Sequence, residues 1–242
     1  MTLINSYSKL IYPLEQKLDI ESVIWIKNQK PQYFNSGFNL DNFYKTTIEL
    51  PLAPPKNWYL NKSLFSTIHG IMHLIRVFIH LNILTKNNKL TDVEKNSLFL
   101  SSLIHDIRRQ DDRKDKEHGK RASKWFDNNF NMVLNRYSSY RKCSKDLISF
   151  IIKYHQDDIV PLKAKFSERE IFILKIFKVA DALDRFRLPN SSWWLDKKFV
   201  FYPIEEKHIL FAFDLVVKSE MYYIKSNNWQ ESITYALNDL KS

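Results

Sequence analysis

Ser101-Ser102-Leu103-Ile104-His105-Asp106-Ile107-Arg108-Arg109 (residues 101–109) sets a histidine and an aspartate side by side at the end of an apolar run. An imidazole and a carboxylate together offer nitrogen and oxygen donors, a mixture that suits Mn, Fe, Zn, Co or Mg rather than thiolate-loving metals. Neighbouring residues on an α-helix point about 100° apart, because the helix turns once per 3.6 residues. Both side chains can therefore face one cation only where a helix ends or its flank lies against a cavity. The pair gains weight from the other candidate donors in the chain: His69, His73, His118, His155 and Asp181.

The 242 residues, 44% hydrophobic and 14% aromatic, are enough to bury one substantial core. One cysteine, Cys143, rules out an internal disulfide framework and a cysteine-based zinc cluster. It fits a reducing compartment. The first residues lack the basic-then-apolar order of a signal peptide, and no apolar run is long enough to span a bilayer. A cytoplasmic protein is expected. With three glycines, neither a dinucleotide fingerprint nor a phosphate loop can be assembled. The net charge of +10 favours an anionic partner. A small phosphorylated substrate is the expectation; nucleic acid is compatible with the charge but not favoured by it. Oligomeric state is left open.

Read in order, residues 1–60 form an accessory segment with short amphipathic helices over Ser8–Lys17 and Ile20–Lys30, closed by Pro51, Pro54 and Pro55 in an extended connector. Residues 61–242 read as a mainly α domain. A long helix is expected over Ser63–Leu84, with His69 and His73 four apart on one face. Thr91-Asp-Val-Glu and Ser167-Glu-Arg-Glu are capping boxes, the first opening a helix that ends at the His-Asp pair, the second one that runs through Asp181 and Asp184. Further helices are expected over His118–Phe130, Ser144–His155 and Asn227–Leu240. Lys198–Tyr202 and His208–Phe213, rich in branched and aromatic residues, suit a small C-terminal β-hairpin. Gly70 and Gly119 each follow a candidate histidine, which points to close backbone approach there.

The ordered set His73, His105-Asp106, His118, His155 and Asp181 draws on several expected helices, as metal sites in helical bundles do. Its carriers are HGIMHLIRV (residues 69–77), LIHDIRRQDDRKDKEHG (residues 103–119), IIKYH (residues 151–155) and VADALD (residues 179–184). In these the chain resembles the HD-domain metal-dependent phosphohydrolases over roughly Ser63 to Arg187. The resemblance implies an HD-domain-like helical bundle and one or two divalent ions. His73, His105, Asp106 and Asp181 would hold the first, and Asp106 would bridge to a second on His118 and His155. Arg109 stands where many two-metal members carry a phosphate-contacting lysine.

On that basis Arg108, Arg109, Lys120 and Arg121 are the expected phosphate ligands. Asp106, Arg109 and Asp112 are the expected catalytic residues, with Asp112 orienting water or protonating the leaving oxygen. His69 is expected to steady His73 or simply to share its helix face. The tandem Trp193-Trp194 is expected to fill core, and the lysines flanking Cys143 to favour its thiolate. The expected activity is metal-dependent hydrolysis of a nucleotide or other small phosphoester. Two other readings stay open: a di-iron oxygenase on a related fold, and a basic nucleotide- or nucleic-acid-binding module with a structural metal.

Overall fold

In the computed structural model, which describes residues 1–31, 48–86, 89–195 and 202–240, the chain is mainly helical. The α-helices are α1 (Leu3–Ser8), α2 (Ile20–Asn28), α3 (Ile71–Leu84), α4 (Asp92–Ser102), α5 (His118–Arg136), α6 (Lys145–Tyr154), α7 (Ile159–Leu162), α8 (Glu168–Leu183), α9 (Glu206–Ser226) and α10 (Trp229–Asp239). Among the described residues there is no strand.

Helix α3 is the axis. It is apolar nearly all round, and a helix of that kind has to be enclosed. Residues 71–81 are all buried, including three polar ones: His73, Arg76 and His80. Two apolar clusters meet along it. One joins Val77, Leu81 and Phe177 to α8 and the first half of α9. The other joins Leu74, Ile75 and Ile104 to α5, α6 and α10.

Both capping boxes form, with Thr91 accepting from the Glu94 N–H and Ser167 from the Glu170 N–H. Ser144 caps α6 in the same manner, accepting from the Leu147 N–H. Helix α3 starts later than the periodicity suggests. Gly70, in extended conformation, is its N-cap, and a 3-10 turn (Lys62–Ser66) precedes it. A Cβ at Gly70 would run into the carbonyls of Leu64 and Phe65, so the chain passes too closely there to continue as helix. His69 therefore lies outside α3.

Two further expectations are corrected. His208–Phe213 is not a hairpin strand but the start of α9; a short, continuous apolar run looks alike in a buried strand and a buried helix. Its proposed partner lies outside the described residues except for Tyr202. Ser8–Lys17 is not helical beyond Ser8, since Leu10 takes a left-handed φ of 58° and Pro13 lacks an N–H. Helix α1 instead precedes that stretch and is pinned to α2, its Leu3 N–H donating to Asp19 at 2.6 Å and its Ile4 N–H to Ser22 at 2.9 Å. Helix α2 packs on α9.

Trp194 is buried, donates to the Leu188 carbonyl at 2.7 Å and meets the rings of Trp25, Phe186 and Phe213. Trp193 stacks on Tyr12. Both are packing residues. Burial pushes the Cys143 thiol up, opposite to the expected effect of its lysine neighbours. No described helix is long and apolar enough to cross a membrane.

Candidate metal centre

Helix α4 stops at Ser102, and the chain continues through buried turns as far as Ile107. The Ile104 and His105 N–H groups both return to the Ser101 carbonyl. This tightened exit from a helix lets adjacent residues aim at one point. His73 arrives from the first turn of α3, His118 from the start of α5, His155 from just past α6 and Asp181 from the last turn of α8. All six expected ligands converge.

The ring orientations are fixed by their other nitrogens. His105 Nδ1 faces the Ser102 carbonyl at 3.0 Å, His118 Nδ1 the Asp115 carbonyl at 2.5 Å, and His155 Nδ1 the Ile152 carbonyl at 2.7 Å. His73 Nδ1 faces the Asp184 carboxylate at 2.7 Å. Carbonyls and carboxylates only accept, so each Nδ1 carries a proton, and a neutral ring then presents its Nε2 lone pair.

Those lone pairs point at one another. His73 Nε2 lies 3.1 Å from His105 Nε2, and His118 Nε2 lies 2.8 Å from His155 Nε2. If the rings are neutral, neither pair has a proton to share, and a cation between the nitrogens would relieve both contacts. The Asp106 carboxylate joins the two pairs. One oxygen is 3.6 Å from His73 Nε2 and 3.9 Å from His105 Nε2; the other is 3.0 Å from His118 and 3.7 Å from His155. That second oxygen, Oδ1, is fully buried without a properly oriented hydrogen-bond donor. Asp181 adds an oxygen 3.4 Å from His73 Nε2 and 3.9 Å from His105 Nε2. Two groups, His73–His105–Asp106 and Asp106–His118–His155, could each hold a metal ion.

Electrostatics match that use. Burial pushes His105 down to about 3, keeping it neutral, as a ligand must be. Burial works to raise the Asp106 carboxyl, but the charged surroundings, Arg109 among them, hold the group well below its usual range.

Beneath the ligands lies a buried charge network. Asp184 receives His73 Nδ1–H, Arg76 Nε–H at 2.5 Å and a weaker approach from Arg187 at 3.4 Å; Arg76 also reaches Glu220 at 2.6 Å. Asp184 therefore steadies His73, a task sequence reading offered to His69. The signal lay in Asp184 standing three residues after Asp181 and beside two arginines, but its contact with His73 spans 111 positions.

The centre opens into a cavity of about 620 Å³, lined by Asp106, His118, His155 and Asp181 among others. Arg109 lines it too. Its Nη1 lies 3.7 Å from Asp106, while the rest of its guanidinium donates to the Asp111 and Arg113 carbonyls. Three other expected phosphate ligands are placed elsewhere and line no part of it. Arg108 donates to the Trp58 carbonyl and lies over Trp125. Arg121 binds Asp115 and the Arg108 carbonyl. Lys120 pairs with Glu117 on the surface.

Asp112 is buried behind the cavity wall. Its carboxylate accepts from the Gln16 N–H at 2.7 Å and the Thr67 hydroxyl at 3.0 Å, and meets His69 Nδ1 at 2.8 Å. It pairs with no loop arginine, and burial pushes its pKa up to about 6. It reaches the cavity only through His69, which lines it. Comparison with protein-family models, curated proteins and solved structures finds no match for the chain.

Proposed function

We propose that the protein is a metal-dependent phosphohydrolase with an HD-type centre, acting on a nucleotide or another small phosphoester. The observation that carries the reading is the set of four histidines, tautomers fixed, whose Nε2 lone pairs converge on one bridging carboxylate. His73, His105, Asp106 and Asp181 would hold one divalent ion; Asp106, His118 and His155 would hold a second. Such ions, when bound, lower the pKa of a water and neutralise charge on phosphoryl oxygens.

The chain's own residues do the rest. Arg109 is held over Asp106 by two backbone carbonyls and can donate to a phosphoryl oxygen without paying to be ordered. Asp112 fixes the His69 ring at the cavity wall, and burial keeps that ring uncharged there. The buried carbonyls behind His105, His118 and His155 keep the ligand rings from turning.

The test is a phosphate-release screen over nucleotides and small phosphoesters, on protein loaded with Mn or Fe under anaerobic conditions. Release that requires the metal and disappears in Asp106→Ala is expected. Arg109→Ala should lower kcat/KM by about 30- to 1,000-fold, the range for losing one charged donor at a transition state. No release from any phosphoester, with oxygen consumed by the iron-loaded protein instead, would replace hydrolysis with oxygen chemistry.

A further inference from the structure

Most basic side chains on the inner cavity wall are already engaged. Arg109 donates to two carbonyls of its own loop. Arg187 donates to the Ile68 and Asp184 carbonyls, and Lys178 to those of His155 and Asp157. Arg185 differs. It lines the same cavity and is half-buried, yet no hydrogen bond, ion pair or ring contact engages its guanidinium among the described residues.

Its surroundings leave the charge only partly balanced. Burial pushes its pKa down and Arg187 adds to that, with Asp181 alone working the other way. Lys178 has Asp181, Asp157 and Asp158 to offset its burial. Asp181, the acid whose charge offsets that burial, already faces His73 and His105 in the candidate centre. A half-buried guanidinium with five donors and no acceptor calls for an anion from outside.

Position says which anion. Arg185 follows Asp181 by four residues, in the 3-10 turn (Asp184–Arg187) that continues from α8, and both side chains line the cavity. An anionic group there sits beside the one that the histidine–aspartate centre would take. We propose that Arg185 is the receptor for a second anionic group of the substrate, so that the preferred substrates carry two phosphates, as a nucleoside diphosphate or a bisphosphate does. The inference rests on the hydrolase reading for the first group only.

Isothermal titration with methylenediphosphonate and methylphosphonate tests it, on protein held in fixed excess Mn and again on metal-free protein. Wild type should bind the diphosphonate about 10- to 100-fold more tightly than the monophosphonate, the range for charge-assisted bonds to one group. Arg185→Ala should erase that preference, leaving methylphosphonate affinity and metal content unchanged. Arg185→Gln, which keeps the bulk of the side chain, should do the same, and Arg185→Lys should keep part of it. Lys114→Ala/Lys116→Ala, on the exposed loop, should shift both ligands alike.

The proposal is overturned if wild type shows no preference, if Arg185→Ala and Arg185→Gln retain it, or if the lysine pair alone carries it. Failure to bind metal would sink the hydrolase reading by itself. The metal-free titration would still decide Arg185, which must then weaken diphosphonate binding when replaced.

Discussion

Asp184 is the residue on which the orientation of His73 turns. Its carboxylate takes the His73 Nδ1 proton and neutralises Arg76 inside a fully buried network. Burial opposes the charge of Asp184, but Arg76, His73 and Arg187 hold its carboxyl far down. Removing one partner of such a network costs about 3–5 kcal/mol, because the other charge is left buried and alone. Loss of a ring-orienting partner weakens metal affinity by roughly 10- to 100-fold. Asp184→Asn should show both effects, read by denaturant unfolding and by metal titration. Unchanged metal affinity would detach Asp184 from the centre.

His80 makes a different point at the same scale. It is fully buried, neither ring nitrogen has a hydrogen-bond partner, and burial pushes it down to about 3. Unfolded, the ring takes a proton near pH 6.5. The unfolded chain therefore binds more protons as pH falls from about 6.5 toward 3, and stability is lost across that window. The share of His80 at pH 5 is about 2 kcal/mol, at 1.4 kcal/mol per unit below 6.5. His80→Phe keeps an aromatic against His208 and Phe211 and should flatten this part of the acid profile. An unchanged slope between pH 6.5 and 4 would contradict it.

At the scale of elements, the crossing of α5 and α6 sets the second histidine pair. Gly119 is the second residue of α5, and a Cβ there would stand 2.7 Å from the Ile152 carbonyl oxygen and 3.4 Å from His155 Cε1. Helix propensity alone favours alanine over glycine by about 1 kcal/mol. Overpacking costs about 1–3 kcal/mol and falls on the carbonyl that fixes His155. The clash should win: Gly119→Ala should lower Tm and weaken the second metal position more than the first. A variant that melts higher and binds as before would show that the helices can part without consequence.

The same scale shows what sequence could reveal. Thr91 and Ser167 capping boxes mark helix starts because their bonds are local. The start of α3 was not legible, since apolar spacing continues back through Ile68 and only a through-space contact with Leu64 and Phe65 enforces the break. The six candidate ligands were legible through an order that resembles the HD-domain set; residue type alone did not separate them from His69 or His80. The engagement of Arg108 by Trp58 and of Arg121 by Asp115 was not, because the direction in which a basic side chain turns is set by tertiary neighbours.

For the whole molecule, residues far apart in the chain build one wall. Leu14 accepts from the Asp112 N–H and the Gln16 N–H donates to its carboxylate, so the stretch between α1 and α2 holds the residue that holds His69. The centre itself collects side chains from α3, α5 and α8, from the turn after α4 and from just past α6. Four imidazoles and two carboxylates assembled in this way could hold cations. Metal content per chain, measured on anaerobically purified protein dialysed against Mn or Fe, tests that most directly. Wild type should hold two equivalents, His118→Ala or His155→Ala one, and Asp106→Ala close to none while still folded by circular dichroism. Wild-type protein that binds no more metal than folded Asp106→Ala would contradict a metal centre at these six residues.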